Sequence, residues 1–307
     1  MRLLVVGAGA TGGYFGGKLV EAGRDVTFLV RPARAAQIRE TGLEIVSPHG
    51  DLHLKPNLLT ADALKEPFDV VLVTVKAFAL EAAMTDFAPA VGPQTMILPV
   101  LNGMKHLDVL AARFGEKAVL GGVCKIAATV DAQGRIVQLA KFHELAYGEI
   151  NGKMSERIDA LDHFMQGAGF DAHASTSIIL EMWQKWLFLA SLGVITCLMR
   201  GTIGEVAKAR CGKDFVRRLL AEITAIVKAA DITPDPNFLA EIGTSLTMEN
   251  SPLTSSMYRD LQKGSRIEAD QIVGDLLARG QKFGVDTPLL AAAYTNLCVY
   301  QDRLTKT

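Results

Sequence analysis

A glycine-rich hexapeptide near the amino terminus has the spacing that binds a dinucleotide. Residues 7–12 match Gly-x-Gly-x-x-Gly, between a short apolar run and a helical pattern. In such a motif Gly7 makes the tight turn, Gly9 lets the backbone approach a pyrophosphate, and Gly12 permits close packing of helix and strand. The helix N-terminus offers N–H groups to the phosphates. The alternative is a glycine-rich turn without a ligand. The residues assigned to cofactor binding are Gly7, Ala8, Gly9, Ala10, Thr11 and Gly12.

The end of the second predicted strand indicates which dinucleotide binds. NAD enzymes usually carry an acidic residue here, which binds the ribose 2′-hydroxyl. In this chain the strand ends at Arg31, and Asp25 lies at its beginning. Arg31, with Arg34 as a second candidate, can pair with a 2′-phosphate through its planar guanidinium. We therefore predict NADPH as the cofactor. The alternative is that Arg31 is a solvated loop residue.

The elements that must position these residues alternate between strand and helix. A helix is predicted from Gly12 to Ala22, and Gly23 is a suitable C-terminal cap. Short apolar runs separated by helical segments are typical of parallel strands buried on both faces. The pattern predicts a Rossmann fold with a doubly wound, mostly parallel sheet. The runs are Arg2–Val6, Val26–Val30, Val70–Val75, Thr95–Leu98 and Ala118–Leu120.

The pattern changes after Gly121. Residues 123–130 and 135–139 flank a turn sequence at 131–134 and predict a hairpin, and residues 144–147 predict one more strand. We expect these strands to be antiparallel additions to the same sheet. A helix is expected at 155–165 and a last short strand at 172–174.

From Ser177 onward the chain is almost entirely helical in pattern. Prolines 234, 236, 252 and 288 fall between helices or at their starts, where proline is tolerated. We therefore predict two domains, a Rossmann domain over 1–174 and an all-α domain over 175–307. The predicted helices are Ile178–Ile195, Lys213–Ala230, Arg266–Phe283 and Thr287–Arg303.

Composition excludes several classes of protein. The chain has 307 residues, 49% hydrophobic and 21% charged, with a net charge of −1, so it lacks the basic surface of a nucleic-acid binder. Its four cysteines have no zinc-like spacing, and we expect them to be reduced and mostly buried. His49 and His53 lie four residues apart without a third ligand. No metal site is predicted.

No membrane segment or signal peptide is predicted. The opening apolar run passes directly into glycines, whereas a signal peptide needs an apolar core of about 7–15 residues. The longest uncharged apolar stretch, 186–199, is shorter than the ~20 residues of a spanning helix and is expected to be a buried helix. We expect a cytoplasmic protein.

Several short motifs follow one another along the whole chain: Gly7–Gly12, Arg31-Pro32, Val75-Lys76, Leu101-Asn102-Gly103, Trp183-Gln184-Lys185, Ser255-Ser256-Met257 and Glu268. In this order they resemble the motifs of the 2-dehydropantoate 2-reductase (ketopantoate reductase) family. Such enzymes use NADPH to reduce an α-keto acid on the route to pantothenate and coenzyme A. The resemblance also implies that the helical domain is similar to the C-terminal domain of 6-phosphogluconate dehydrogenase.

The resemblance implies roles for five residues. Lys185 matches the catalytic lysine, which donates a proton as charge develops on the carbonyl oxygen; otherwise it is an exposed or snorkelling lysine. Lys76 matches a cofactor-binding lysine. Asn102 follows a predicted strand and is implied to contact the nicotinamide end or the substrate. Ser256 and Glu268 match the substrate-binding serine and acidic residue, and Glu268 could also orient the lysine. The alternatives are a turn asparagine, a surface lysine and a helix-surface charge.

Two departures from the family pattern concern the substrate. Four and eight residues after Lys185, on the same helix face, the family usually has asparagines, whereas this chain has Leu189 and Gly193. The glutamine that usually precedes the Asn-Gly pair is Leu101 here. Three interpretations therefore stay open: a ketopantoate reductase, a family member that reduces another α-keto acid, and an NADPH-binding sensor without turnover. The apolar helical domain could support a homodimer.

Overall fold

A computed structural model describes residues 1–305. The chain divides into two compact units. The N-terminal unit comprises Met1–Leu101 and His106–Ile179, and the C-terminal unit comprises Asn102–Lys105 and the chain from Leu180 onward. The domain limits 1–174 and 175–307 stay a prediction, because compact units need not be domains that fold alone.

The N-terminal unit contains ten strands and five helices among the described residues. The strands are β1 Arg2–Val6, β2 Asp25–Leu29, β3 Leu43–Val46, β4 Leu52–Leu54, β5 Asn57–Leu59, β6 Val70–Val73, β7 Met96–Pro99, β8 Gly121–Val130, β9 Ile136–Gly148 and β10 Asp171–Ala174. The helices are α1 Ala10–Glu21, α2 Pro32–Thr41, α3 Leu80–Phe87, α4 Lys105–Phe114 and α5 Glu156–Met165.

The first sheet is a parallel sheet of Rossmann type. Its strand order is β5-β2-β1-β6-β7, and every neighbouring pair is parallel. All four residues of β6 and all four of β7 are buried. This explains their continuous apolar sequences, since strands covered on both faces have no polar side. The predicted fold class of this unit is confirmed.

The hairpin strands form a second sheet, so their predicted addition to the first sheet is wrong. The second sheet has the order β10-β9-β3-β4, with β8 antiparallel to β9. Residues 144–147 continue the long strand β9 and are not a separate strand. The predicted strand Ala118–Leu120 is also wrong, because only Val119 forms a bridge, to Ile97. The chain instead makes a 3-10 turn at Glu116–Ala118 and enters β8 at Gly121.

Helix α1 lies against both sheets of the N-terminal unit. A Cβ atom at Gly16 would lie 2.6 Å from the ring of Phe28 on β2. A Cβ atom at Gly13 would lie 2.2 Å from Ile136 on β9. A side chain at either position would force these neighbours to shift, so glycine lets α1 pack closely against both sheets.

The C-terminal unit is helical, as predicted. Its elements are α6 Ile178–Met199, α7 Ile203–Lys208, α8 Gly212–Ala229, α9 Pro236–Leu246, α10 Ser256–Gln262, a π-turn at Asp270–Gly274, α11 Asp275–Lys282 and α12 Pro288–Leu304. The predicted helix Arg266–Phe283 is wrong at its start, since Arg266–Glu268 are not helical. Three short helices, α7, α9 and α10, were not predicted. Pro236 and Pro288 each begin a helix.

Helix α6 has the length and apolar composition of a membrane span. Its 22 residues exceed the uncharged stretch 186–199 because Glu181 and Lys185 also lie within it. In its most apolar window 61% is buried inside the protein. Such burial is typical of the core helix of a soluble protein.

Candidate active site

The glycine loop has the geometry that its sequence predicts. Gly7 follows β1 with φ +98°, and its N–H donates to Leu29 O at 3.0 Å. A Cβ atom at Gly12 would lie 2.2 Å from both Gly7 O and Thr74 Oγ1, so this helix must have glycine there. A Cβ atom at Gly9 would meet nothing within 4 Å. The open space at Gly9 leaves the backbone accessible to a large ligand.

The N-terminus of α1 suits a pyrophosphate. Gly9 is its N-cap residue, no side chain caps it, and no acidic residue lies in its first turn. Its free N–H groups and the positive end of the helix dipole therefore favour an anion. Ala8 is buried, and Ala10 and Thr11 are half-buried. The residues present thus fit the dinucleotide that the motif predicts.

The two candidate arginines for a 2′-phosphate differ in their surroundings. Arg31 is the exposed N-cap residue of α2, and no side-chain partner is recorded for it in the part of the chain that the structure describes. Arg34 donates from Nε to Ala8 O at 3.2 Å and from Nη1 to Gly134 O at 2.9 Å. Burial lowers the pKa of Arg34. Arg34 therefore supports the glycine loop, while the Arg31 guanidinium is exposed for a ligand.

Lys76 lies at the same edge of the first sheet as the glycine loop. Val73 and Val6 pair at the ends of β6 and β1, and Lys76 follows three residues later at an exposed position. It is the N-cap residue of a 3-10 turn at Ala77–Ala79. Ligands of doubly wound folds bind at this carboxyl edge.

In the C-terminal unit, the segments that carry Asn102, Lys185 and Glu268 come together. Asn102 is half-buried and precedes Gly103, whose φ is +80°. Lys185 is half-buried on α6. The next residue, Trp186, donates from Nε1 to Ile272 O at 2.9 Å. Glu268 is only 5% exposed, and its carbonyl oxygen accepts from Ile272 N–H at 3.0 Å.

The two serines of the Ser-Ser-Met motif have different positions. Ser256 is exposed as the first residue of α10. Ser255 is buried and caps that helix, because its Oγ accepts from Tyr258 N–H at 2.9 Å. Its Oγ also lies 2.9 Å from Thr196 Oγ1 on α6. This cap was not predicted, although a serine before a helical segment is a typical signal for one.

Two of the three positions that depart from the family pattern lie on α6, and neither has a polar side chain. Leu189 is half-buried and Gly193 is buried. A Cβ atom at Gly193 would lie 2.8 Å from Met257 Cε, so the methionine occupies the space beside this glycine. The hydroxyls of Ser191 and Thr196 donate to Leu187 O at 2.8 Å and Leu192 O at 2.7 Å. Their donor hydrogens are therefore already used within α6.

The histidine pair His49 and His53 has structural contacts. His53 Nε2 lies 2.8 Å from Thr41 O, and the ring of His49 stacks on His143 at a centroid distance of 4.0 Å.

All four cysteines are free thiols, of which Cys124 and Cys197 are buried, Cys298 is half-buried and Cys211 is exposed. We expected most of the cysteines to be buried, and two of the four are.

Comparison with known proteins identifies the family. The model "Ketopantoate reductase PanE/ApbA" matches residues 3–152, and the model of its C-terminal domain matches residues 177–301. The uncharacterized oxidoreductase YkpB of Bacillus subtilis is 36% identical over 98% of this chain and 99% of its own.

Solved structures share the whole architecture. The 2-dehydropantoate 2-reductase of Methylococcus capsulatus matches with a TM-score of 0.88 and 26% identity, over 100% of this chain and 99% of its own. D-mandelate dehydrogenase, in a complex with NADH and anilino(oxo)acetate, matches at a TM-score of 0.88 and 22% identity, over 99% and 100%. The fold and both family models agree: this chain belongs to the ketopantoate reductase family of NAD(P)H-binding oxidoreductases that act on CH–OH groups.

Proposed function

We propose that the protein reduces an α-keto acid to an α-hydroxy acid with NADPH, and that ketopantoate is its substrate by family default. The observation that carries the proposal is a buried carboxylate, Glu268, on a segment that a hydrogen bond from Trp186 to Ile272 O joins to the helix of Lys185. A charged group is rarely buried without a function or a partner. An NADPH-binding sensor has no need of a proton donor or of such a carboxylate.

The proposed cofactor is NADPH, bound by residues 7–12, Arg31 and Lys76. Arg31 is exposed at the carboxyl edge of the sheet and suits a 2′-phosphate. The absence of an acidic residue at the end of β2 disfavours NADH. When bound, the reduced nicotinamide supplies a hydride to the keto carbon.

The chain's own residues then complete the reaction. As negative charge develops on the carbonyl oxygen, Lys185 Nζ donates a proton to it. Glu268 orients the lysine or accepts a hydrogen bond from the substrate. Asn102 contacts the nicotinamide end or the substrate, and Ser256 binds the substrate carboxylate. The exposed position of Ser256 leaves its hydroxyl accessible.

A second candidate is the reduction of a more apolar α-keto acid. Leu189 offers no hydrogen bond, and the space beside Gly193 is occupied by Met257. Ser191 and Thr196 are fully buried and use their donors within α6, so their hydroxyls are not accessible to replace the missing asparagines. An α-keto acid without a hydroxyl on its side chain would lose nothing in such a pocket.

We further propose a cytoplasmic location and a homodimer. Most of the apolar window of α6 is buried, which agrees with a soluble protein. Light scattering of the purified protein measures the mass in solution and decides between monomer and dimer.

Burial raises the pKa of the Cys197 thiol to about 12, so this cysteine is inert as a nucleophile.

One experiment tests the proposed reaction and separates the candidates. NADPH oxidation is followed across ketopantoate, 2-oxoisovalerate and unbranched α-keto acids. Turnover of any of them supports a reductase, and the ranking by kcat/KM identifies the substrate class. NADPH binding without turnover of any α-keto acid would contradict the proposal and favour a sensor.

A further inference from the structure

A buried tryptophan next to Lys185 makes a hydrogen bond to an irregular turn. Trp186 is 1% exposed, and its Nε1–H donates to Ile272 O at 2.9 Å. Ile272 lies in the π-turn, in which Asp275 N–H donates to Asp270 O five residues earlier. Such wide turns are rare and are frequently found at functional sites. The indole therefore supports a carbonyl of the segment that directly follows Glu268.

The segment around Gly103 packs against the same π-turn. A Cβ atom at Gly103 would lie 2.5 Å from Gln271 O and 3.8 Å from Trp186 Nε1. The φ of +80° at Gly103 also favours glycine. The backbone next to Asn102 therefore lies against the π-turn, beside the hydrogen bond of the indole. We call Trp186, Gly103, Gln271 and Ile272 the Trp186 junction.

Further contacts are made to the indole and to both ends of the π-turn. The guanidinium of Arg279 lies over the Trp186 ring at 5.6 Å and over the Trp183 ring at 5.7 Å. Arg279 also pairs with Asp275 at 3.1 Å, immediately after the π-turn. At the start of the turn, Tyr294 OH donates to Asp270 at 2.9 Å. Both ends of the π-turn are thus fixed.

We propose that Trp186 is a positioning residue for the reaction, which rests on the proposed function. One indole N–H connects α6, which carries Lys185, to the π-turn that follows Glu268. The same turn packs on the glycine that follows Asn102. The junction therefore sets the relative positions of three candidate active-site residues without touching the substrate. Catalysis is sensitive to such placement, because a shift of about 1 Å can cost about 100-fold in rate.

The test compares Trp186→Phe with Trp183→Phe. Trp183 is the matched control, because it is also buried and packs against Trp186, with the ring centroids 5.0 Å apart and the planes tilted by 37°. In the part of the chain that the structure describes, no hydrogen bond of its indole is recorded. We expect Trp186→Phe to lower kcat by about 10- to 100-fold, with the KM for NADPH unchanged. Equal kcat values for the two variants would overturn the proposal.

The isotope effect separates positioning from a loss of folded protein. With NADPH deuterated at the transferred position, the primary isotope effect on kcat should rise in Trp186→Phe, because misplaced groups make the chemical step rate-limiting. A smaller amount of active enzyme would lower kcat and leave the isotope effect unchanged, which would contradict a positioning role. Gly103→Ala displaces Gln271 O from the other side, so it should raise the isotope effect in the same way.

A measurement independent of turnover keeps the proposal separate from the proposed function. Amide hydrogen exchange of residues 270–275 should become faster in Trp186→Phe and stay unchanged in Trp183→Phe. If the unmodified protein reduced no α-keto acid, the proposed function would fail and the positioning role with it. In that case, amide hydrogen exchange of residues 270–275 would still show whether Trp186 stabilises the π-turn. Equal exchange in both variants would overturn the junction itself.

Discussion

Replacing Leu189 and Gly193 together by asparagine should shift substrate preference toward ketopantoate. These positions lie one and two turns beyond Lys185 on α6, so all three form one stripe. An apolar stripe leaves a substrate hydroxyl without a partner, which costs about 1–3 kcal/mol. If the second candidate function is right, the unmodified enzyme should act weakly on ketopantoate relative to 2-oxoisovalerate; if ketopantoate is the substrate, that preference should be reversed.

The change in substrate preference and the energetic cost of the two substitutions can both be derived from the structure. Restoring a hydrogen bond worth about 1–3 kcal/mol corresponds to about a 5- to 150-fold change in the kcat/KM ratio of the two substrates. A Cβ atom at Gly193 meets only Met257 Cε, the far end of a flexible side chain, at 2.8 Å. Moving that side chain off its rotamer costs about 0.5–1.5 kcal/mol. This cost falls on both substrates and leaves their ratio unchanged.

The assay is steady-state kcat/KM for both acids at saturating NADPH. Gly193→Ala is the matched control, because it adds the same Cβ atom without an amide. Its substrate ratio should equal that of the unmodified enzyme. A clear preference for ketopantoate in the unmodified enzyme, or the same ratio in the double variant, would refute the reasoning about this pocket.

Three further predictions concern catalysis, cofactor and stability. Lys185→Ala should lower kcat by about 10²–10⁴-fold while NADPH affinity, measured by fluorescence titration, stays the same; near-normal turnover would remove it from the mechanism. Arg31→Ala should weaken NADPH but not NADH binding by about 1.5–3 kcal/mol, and equal affinities in the unmodified protein would count against a 2′-phosphate site. Hydrogen bonds from Arg157 lower the pKa of Glu149 below its ordinary 4.5, so this carboxylate stabilises the fold above that pH and loses its effect as pH falls through the lowered pKa. The Tm deficit of Glu149→Gln should accordingly be largest near neutral pH and disappear in acid, and a deficit that persists in acid would contradict this.

The glycine loop and the parallel strands could be predicted because their signals are local. Gly7 has a φ of +98°, and a Cβ atom at Gly12 would lie 2.2 Å from Gly7 O, so two glycines of the motif have reasons that lie within a few residues. The second sheet had no such signal. Strand β3 pairs with β9 through Ile45 and Ile136, which are far apart in sequence. Only tertiary packing around α1 brings these two strands together.

The π-turn and the role of Trp186 were beyond sequence reasoning. Helical periodicity continues smoothly from 269 to 282. The π-turn is wider than a turn of α-helix, and its contact with another segment, the hydrogen bond from the Trp186 indole, is not visible in the local sequence. A tryptophan in an apolar helix gives no hint of that hydrogen bond, because most such residues simply fill the core. Lys185 and Glu268 were found through the family resemblance, since an isolated lysine or glutamate on a helix carries no distinctive pattern.

Deuterium transfer from the cofactor to the product tests the central claim most directly. The protein is incubated with its best α-keto acid and with NADPH carrying deuterium at the transferred position, and the hydroxy acid is analysed by mass spectrometry. We predict one deuterium at C2 of the product and almost no product with Lys185→Ala in the same time. A hydroxy acid without deuterium, or NADPH consumption without any hydroxy acid, would contradict the assignment of this protein as an α-keto acid reductase.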